Sequence, residues 1–506
     1  MMDFISVLDQ QAQTRGSAIA LRATGHEWSY ADLAHESRRA ATVLQGLGVR
    51  PGDRVALFCY NTPGFVFALF GIWRLGATVV PVNHKLRAPE VAYILHHARV
   101  TLCIADGVLA PMSREIKGDT QWLTTGSEQV GMPHFDALQA KARPYADKST
   151  APHDATLAEV LYTSGTTGRP KGCLHTHAGI YRTALCSVAA VSLTPSDRTL
   201  IAMPIWHSSP LNNWLLGTLM VGATAVLLRE YAPKAFLEIM AAERITFTFG
   251  APIAFLAPLT AVPDVSAYDL SAMRLWTYGG GPLGEEMARK LAASYKSDRF
   301  MQVYGMTESG PQGMVLYPDE ALAKAGSIGR CGTLGVEMEL RREDGSRCSA
   351  GEIGEIHLRT VGMMQGYLDD PEATQAAFDV NGWYRSGDMA RIDEDGYLYI
   401  VDRLKDMIIT GGENVYSKEV EDVLSVHPDV QDVAVIGRPH PEWGETVCAV
   451  LVMKPGRALD EAAMTAYLEP KLARYKIPRA FEVRGTLPRT ASGKLQKHLL
   501  RQPGAE

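Results

Sequence analysis

Short apolar runs alternate with stretches in which apolar positions recur every three or four residues through the first two thirds of the chain. Val55-Ala-Leu-Phe58, Thr78-Val-Val80 and Leu102-Cys-Ile104 read as buried strands, each beside a helix-like segment. The same rhythm resumes at Leu200-Ile-Ala-Met203, Thr224-Ala-Val-Leu-Leu228 and Phe247-Thr-Phe249. This βα alternation predicts an α/β protein built from stacked layers of largely parallel sheet covered by helices.

After about Gly335 the texture changes to short alternating strands joined by turn signals such as Glu343-Asp344-Gly345, Asn381-Gly382 and Asp395-Gly396, which predict a small antiparallel β unit. Asp402-Arg-Leu-Lys-Asp406 interrupts that alternation with charge, and a fresh pattern follows it. Val420, Val423 and Leu424 share a helical face, Val433-Ala-Val-Ile436 and Val447 to Val452 read as strands, and Met464 to Leu472 reads as helix. The expected organisation is a large N-terminal domain over 1–401 and a smaller α+β C-terminal domain over 402–506.

Composition narrows the function classes. With 506 residues, 46% hydrophobic and 21% charged, the chain reads as a globular protein of several structural units. A net charge of -6 gives no chain-wide attraction to nucleic acid or anionic membrane, so any anion needs a local site. The most apolar stretch, Val66 to Val82, is broken by Arg74 and Gly76 and is shorter than the ~20 residues that span a bilayer. No export leader, peroxisomal address or Cys-x-x-Cys pair is read, so the seven cysteines are expected to be reduced thiols in the cytoplasm.

The strand-like Glu159-Val-Leu-Tyr162 runs into Thr163, Ser164, Gly165, Thr166, Thr167, Gly168, Arg169, Pro170, Lys171 and Gly172. Glycines let backbone N–H groups turn toward an anion, hydroxyls add donors, and Lys171 supplies a mobile positive charge, a set that suits a polyphosphate. A Gly/Thr surface turn is the bland alternative. A Walker P-loop is excluded by spacing, because Pro170 stands five residues after Gly165 where the second glycine belongs.

With its companion motifs, this loop resembles that of the adenylate-forming superfamily: acyl-CoA synthetases, peptide-synthetase adenylation domains and luciferases. The resemblance covers nearly the whole chain in the expected order. It implies a mobile C-terminal domain and a reaction through an acyl-adenylate, with ATP, Mg²⁺ and CoA as cofactor and co-substrates. Gly279, Gly280 and Gly281 match the adenine-binding turn, Gln302 borders the adenine, and Tyr304 packs on it. By the same resemblance Thr307 is expected to contact the α-phosphate, Glu308 to help hold Mg²⁺, Asp388 to bind the ribose, and Arg403 to contact ribose or phosphate. Ser386 departs from the threonine usual in the family.

For catalysis, the resemblance assigns the adenylation lysine to Lys494 and the hinge to Asp402. The resemblance implies that Gly411 and Gly412 belong to the turn that lines a pantetheine tunnel, and Trp443 resembles an aromatic near CoA in some relatives. Trp206 and His207 belong to the motif that gates the acid site, where His207 is expected to position rather than act as base, since a carboxylate is already ionised at pH 7. Asn212, Asn213, Trp214, Phe249, Gly250, Ala251, Tyr278 and Gly281 are implied to border the pocket, and Gly281 replaces an alanine of many relatives. The motif lacks the aspartate with which amino-acid-activating relatives pair a substrate ammonium. The reading is therefore an acid–CoA ligase for a medium-sized fatty or aromatic acid. A stand-alone enzyme loading a carrier protein and a non-catalytic nucleotide-binding protein are the alternatives, and a homodimer is compatible with all three.

Overall fold

The structure is a computed structural model that describes residues 3–146, 155–163, 170–281, 283–404, 406–410, 413–441, 443–489 and 495–501. Period-two alternation sends successive strand residues to opposite faces, and both faces here are buried. Val55 and Leu57 enter one hydrophobic core while Ala56 and Phe58 enter another. The strands therefore read as continuous apolar runs rather than as alternating ones. The chain divides into two compact units, one of Met1–Met338 with Leu358–Tyr384, the other of Glu339–His357 with Arg385–Glu506.

The first unit contains two sheets. A six-stranded sheet runs in the order Gln121–Thr125, Leu102–Asp106, Arg54–Phe58, Thr78–Pro81, Leu157–Thr163, Lys171–Thr176, parallel except for the last pair. A nine-stranded sheet has Phe300–Val303, Leu275–Gly279, Phe247–Gly250, Arg198–Ile201, Thr224–Leu227 and Ile19–Ala23 in parallel at its centre, with antiparallel strands at both edges. One core takes residues from both sheets, Val55, Leu57 and Val79 from the smaller and Ile201, Leu227 and Phe247 from the larger. The outer face of the larger sheet buries Leu200, Val226, Trp276 and Tyr278 under helices.

Local signals fix the helices that fill the shared core. Ser29 and Asp32 form a reciprocal capping box for helix Tyr30–Gly46, and Thr62 caps helix Pro63–Arg74, whose proline stands in the first turn. The latter is buried from Phe65 to Arg74, so its closing arginine needs a partner, and Asp9 supplies one at 2.6 Å. Among the described residues, no helix is long and apolar enough to cross a membrane.

In the second unit, strands Tyr384–Ile392 and Leu398–Arg403 pair antiparallel, which sets Asp388 directly opposite Arg403. A further sheet is built on the long hairpin of Val430–His440 and Gly444–Met453. One face of this hairpin, with Val433, Val435, Val447 and Leu451, packs against Val420 and Leu424 of helix Ser417–Ser425. The other face buries Ala434, Ile436 and Val450 with Leu500. All seven cysteines are free thiols.

Candidate active site

Thr163 and Lys171 face each other across the hairpin of Leu157–Thr163 and Lys171–Thr176, so the strand pair delivers both ends of the glycine-rich loop to one place. Ser164, Gly165, Thr166 and Thr167 of that loop lie outside the described residues, as do Gly411, Gly412 and Lys494. Gly172 has a packing reason for its identity, because a Cβ there would stand 2.8 Å from Val160 Cγ1. The Lys171 ammonium lies 4.8 Å from the Tyr367 ring centroid.

The Tyr367 hydroxyl donates to Glu308 Oε1 at 3.1 Å. Burial, reinforced by the Glu308 charge, holds the Tyr367 pKa well above its usual value, so the phenol remains a donor. Glu308 belongs to a tight turn clamped from one side. Met364 N donates to Glu308 O at 2.9 Å and Thr360 Oγ1 to Ser309 O at 2.7 Å. Gly310 has φ +72°, and a Cβ on it would meet Gly362 O at 2.1 Å. A half-buried carboxylate aligned by a phenol beside an ammonium fits a hard divalent cation shared with phosphate oxygens. Among the described residues, no group of three or more His, Cys, Asp or Glu could hold a metal alone, so substrate oxygens would complete such a site.

Thr307 Oγ1 lies 3.1 Å from Ser208 Oγ, which joins the Thr307-Glu308 turn to the Trp206-His207 motif although 99 residues separate the two hydroxyls. Next to Ser208, the His207 ring is tilted against Trp206 with centroids 4.0 Å apart, and its Nε2 is enclosed without a hydrogen-bond partner among the described residues. Trp206 Nε1 donates to His84 Nδ1 at 2.9 Å, which makes Nδ1 of His84 an unprotonated acceptor. Burial lowers both histidines to about 4, His84 aided by Lys85 and Arg229 and His207 by His84. Both are therefore neutral at pH 7.

Asn213 is held by its own amide, donating to Pro311 O at 3.1 Å and accepting from Gln312 Nε2 at 3.2 Å. Gln312 also donates to Ser187 Oγ at 2.8 Å and accepts from Thr333 Oγ1 at 2.6 Å. A small cavity borders Asn213, Trp214, Tyr304, Gln312, Gly313 and Thr333. Phe249 packs on Trp214 with centroids 5.5 Å apart, so it shares this side of the sheet. Tyr278 does not. Thr277 is the residue level with Phe249, and Tyr278 points to the opposite face among Leu283, Ala288 and Phe300.

The glycine turn after strand Leu275–Gly279 has mixed reasons. A Cβ on Gly279 would stand 2.7 Å from Val303 O, Gly280 adopts φ +83°, and Gly281 faces open space. Gln302 is buried and its Oε1 has no donor among the described residues, leaving an acceptor for a ligand N–H such as an exocyclic amine.

In the second unit, Arg403 Nε pairs with Asp388 Oδ1 at 3.1 Å, and the Asp388 backbone N–H donates to Ser386 Oγ at 3.0 Å. The serine that replaces threonine thus serves the backbone through its hydroxyl. Asp402 is buried and accepts from the hydroxyl of Ser417 at 2.7 Å and from its backbone N–H, which ties it to the start of helix Ser417–Ser425. The His440 ring lies parallel to Trp443 at 4.2 Å, and the Arg479 guanidinium stands 3.8 Å from the same indole centroid. Two groups so close to one centroid occupy its two faces.

Sequence reasoning passed over Tyr367, Ser208, His84 and Gln312. Each acts through a partner remote in sequence, and an isolated tyrosine, serine, histidine or glutamine carries no spacing signal.

Two family models match the chain, AMP-binding enzyme over residues 8–368 and AMP-binding enzyme C-terminal domain over 419–494. It is 36% identical over 477 residues to the long-chain-fatty-acid–CoA ligase FadD13 of Mycobacterium tuberculosis, covering 94% of this chain and 92% of the relative. It is also 36% identical over 493 residues to a feruloyl-CoA synthase of Amycolatopsis sp, covering 97% of each. Among solved structures it resembles the o-succinylbenzoate CoA synthetase (MenE) of Bacillus subtilis with its acyl-adenylate intermediate, with a TM-score of 0.88, 31% identity and 98% of both chains covered. The same synthetase has been solved with ATP and magnesium ion, with a TM-score of 0.87, 31% identity and 98% and 99% of the two chains covered. Matched along both family segments and over nearly its full length, the chain belongs to the AMP-binding enzymes, as an adenylate-forming acyl-CoA ligase.

Proposed function

We propose that the enzyme activates a medium-sized fatty or aromatic carboxylic acid with ATP and passes the acyl group to CoA. A carboxylate oxygen attacks the α-phosphorus, the bond to the bridging oxygen breaks, and pyrophosphate leaves. The CoA sulfur then attacks the acyl carbon, AMP leaves, and the thiol proton passes to solvent. The observation that carries this reading is the Ser208–Thr307 contact at 3.1 Å, because it puts the acid motif against the turn that bears Glu308.

Lys171 neutralises the departing phosphates, and Thr307 donates to the α-phosphate. Mg²⁺, when bound beside Glu308, would screen the phosphate charge. The neutral His207 orients the acid, since a cation there would trap the ionised ground state. In the cavity by Asn213 the amides of Asn213 and Gln312 meet the far end of the acid, while Trp214 and Phe249 supply apolar walls. Gln302, Tyr304 and the Gly279–Gly281 turn hold the adenine, and Asp388, fixed by Arg403, holds the ribose. For the second unit we assign the hinge to Asp402, the adenylation cation to Lys494, and the CoA passage to Gly411 and Gly412, with Trp443 as a further CoA contact. Because its faces carry His440 and Arg479, Trp443 meets CoA by its edge or after Arg479 moves. A pathway drawing on ATP and CoA pools fits the cytoplasm.

The test is release of pyrophosphate and AMP across a panel of fatty, aryl and dicarboxylic acids, with and without CoA. The reading expects acid-dependent pyrophosphate from fatty or aryl acids and CoA-dependent thioester. Release from dicarboxylic acids alone would refute the substrate class, and no CoA-dependent product would refute the acceptor.

A further inference from the structure

Glu159 takes no part in the chemistry above, yet it is a carboxyl with no exposed surface in the middle of a sheet. It stands in strand Leu157–Thr163 between Val79 of the parallel neighbour and His175 of the antiparallel one. Its Oε1 accepts from Asn212 Nδ2 at 2.6 Å. The other carboxyl oxygen, Oε2, and the amide oxygen of Asn212, Oδ1, are both buried without a donor among the described residues.

Two acceptors stranded on one contacting pair of buried side chains are costly, and a single proton relieves both. Protonated at Oε2, Glu159 becomes a donor and can answer Asn212 Oδ1 while Oε1 keeps its bond from Nδ2. We propose that Glu159 is a positioning residue: as a neutral carboxylic acid it closes a reciprocal pair with the Asn212 amide, and thereby holds the π-helical turn Ser209–Leu215 that presents Asn213 and Trp214 to the substrate.

The surroundings agree. The neighbouring strand Thr78–Pro81 offers no titratable group, and Lys171–Thr176 offers Cys173, His175 and, at its far end, Lys171. Helix His177–Val191 opens with His177, whose ring nitrogens have no hydrogen-bond partner among the described residues, and burial lowers both His175 and His177 to about 4, so neither brings a positive charge to Glu159 at pH 7. Helix Pro63–Arg74, whose Trp73 donates to Ala158 O, commits its Arg74 to Asp9. Burial pushes the Glu159 pKa up to about 7, with the Asn212 amide opposing it. A π-helical turn has poorer backbone hydrogen bonding than an α-helix and is commonly found at functional sites, so a side-chain pin from the sheet has a clear task.

This inference rests on the acid-pocket reading of Asn213. The full-length enzyme would be compared with Glu159→Gln and Glu159→Ala by the KM for acid and for ATP in acid-dependent pyrophosphate release between about pH 6 and pH 8. Gln carries the donor and acceptor of a protonated Glu. It should hold the acid KM within about twofold of wild type at low pH and abolish the rise in acid KM that wild type shows as Glu159 ionises. Ala should raise the acid KM about tenfold while the ATP KM stays within about twofold, the loss of one buried hydrogen-bonded pair. A Gln variant that behaves like Ala, or a wild-type acid KM that is flat over this range, would overturn the proposal. If wild type activates no acid, the functional reading fails separately, and melting decides the pair. A native proton held above the unfolded carboxylate range contributes stability that is lost as pH rises from about 4.5 toward about 7. The buried histidines contribute the opposite slope equally in both proteins, so wild type should lose stability relative to Glu159→Gln as pH rises through this window, and an unchanging difference between the two would overturn the proposal.

Discussion

Replacing Tyr367 by Phe removes one oxygen and leaves the ring. That oxygen donates to Glu308 Oε1 at 3.1 Å, while the ring supports Lys171 at 4.8 Å, so the two contributions separate by substitution. A hydrogen bond to a charged group contributes about 1.5–3 kcal/mol, and the half-buried setting of Glu308 selects the lower end. At about 1.4 kcal/mol per factor of ten, Tyr367→Phe should raise the Mg²⁺ concentration for half-maximal ATP–pyrophosphate exchange roughly tenfold. Tyr367→Leu also removes the cation–π contact, about 0.5–1 kcal/mol, for a further loss of roughly two- to fivefold. Calorimetric titration with Mg·ATP should weaken in the same order without any turnover. The reasoning is refuted if Phe leaves the Mg²⁺ dependence unchanged, or if Phe and Leu lose affinity equally.

Other outcomes follow from the same geometry. Lys494→Ala should lose acyl-adenylate formation by about 10²–10³ while still converting a supplied acyl-adenylate and CoA to thioester, and near-normal pyrophosphate exchange would sink the assignment. Gln312→Leu removes the donor to the Asn213 amide oxygen and to Ser187 Oγ and the main acceptor of the Thr333 hydroxyl, so it should cost about 2–4 kcal/mol and shift preference toward apolar acids. An unchanged melting temperature and acid panel would contradict it. Burial lowers His84, His175, His177 and His207 to about 4, from the usual imidazole value of about 6.5. Unfolding must then take up protons between these limits, so stability present above about pH 6.5 should be lost as pH falls toward about 4. A melting temperature that stays level across that window would show the histidines to be solvated.

The apolar runs at Val55, Thr78, Leu102, Leu200, Thr224 and Phe247 all became strands, because a run too short for a helix and apolar on both faces is stable only inside a covered sheet. The Thr163–Gly172 loop, the Gly279 turn and the Thr307-Glu308 turn stand out in the sequence because glycines, hydroxyls and carboxylates at close spacing are unusual in one segment. Sequence could also reject the P-loop by counting residues between Gly165 and Pro170. It could not tell that Tyr278 turns away from Phe249, since parity within a strand is fixed only by register with its neighbours. Nor could it pair Tyr367 with Glu308, Ser208 with Thr307, or Glu159 with Asn212, which stand 59, 99 and 53 residues apart. Local chemistry is written along the chain, where neighbours are covalent. The partners that set a charge, a tautomer or a side-chain direction meet only when strands and helices from distant segments pack, and that packing was decided by the tertiary structure.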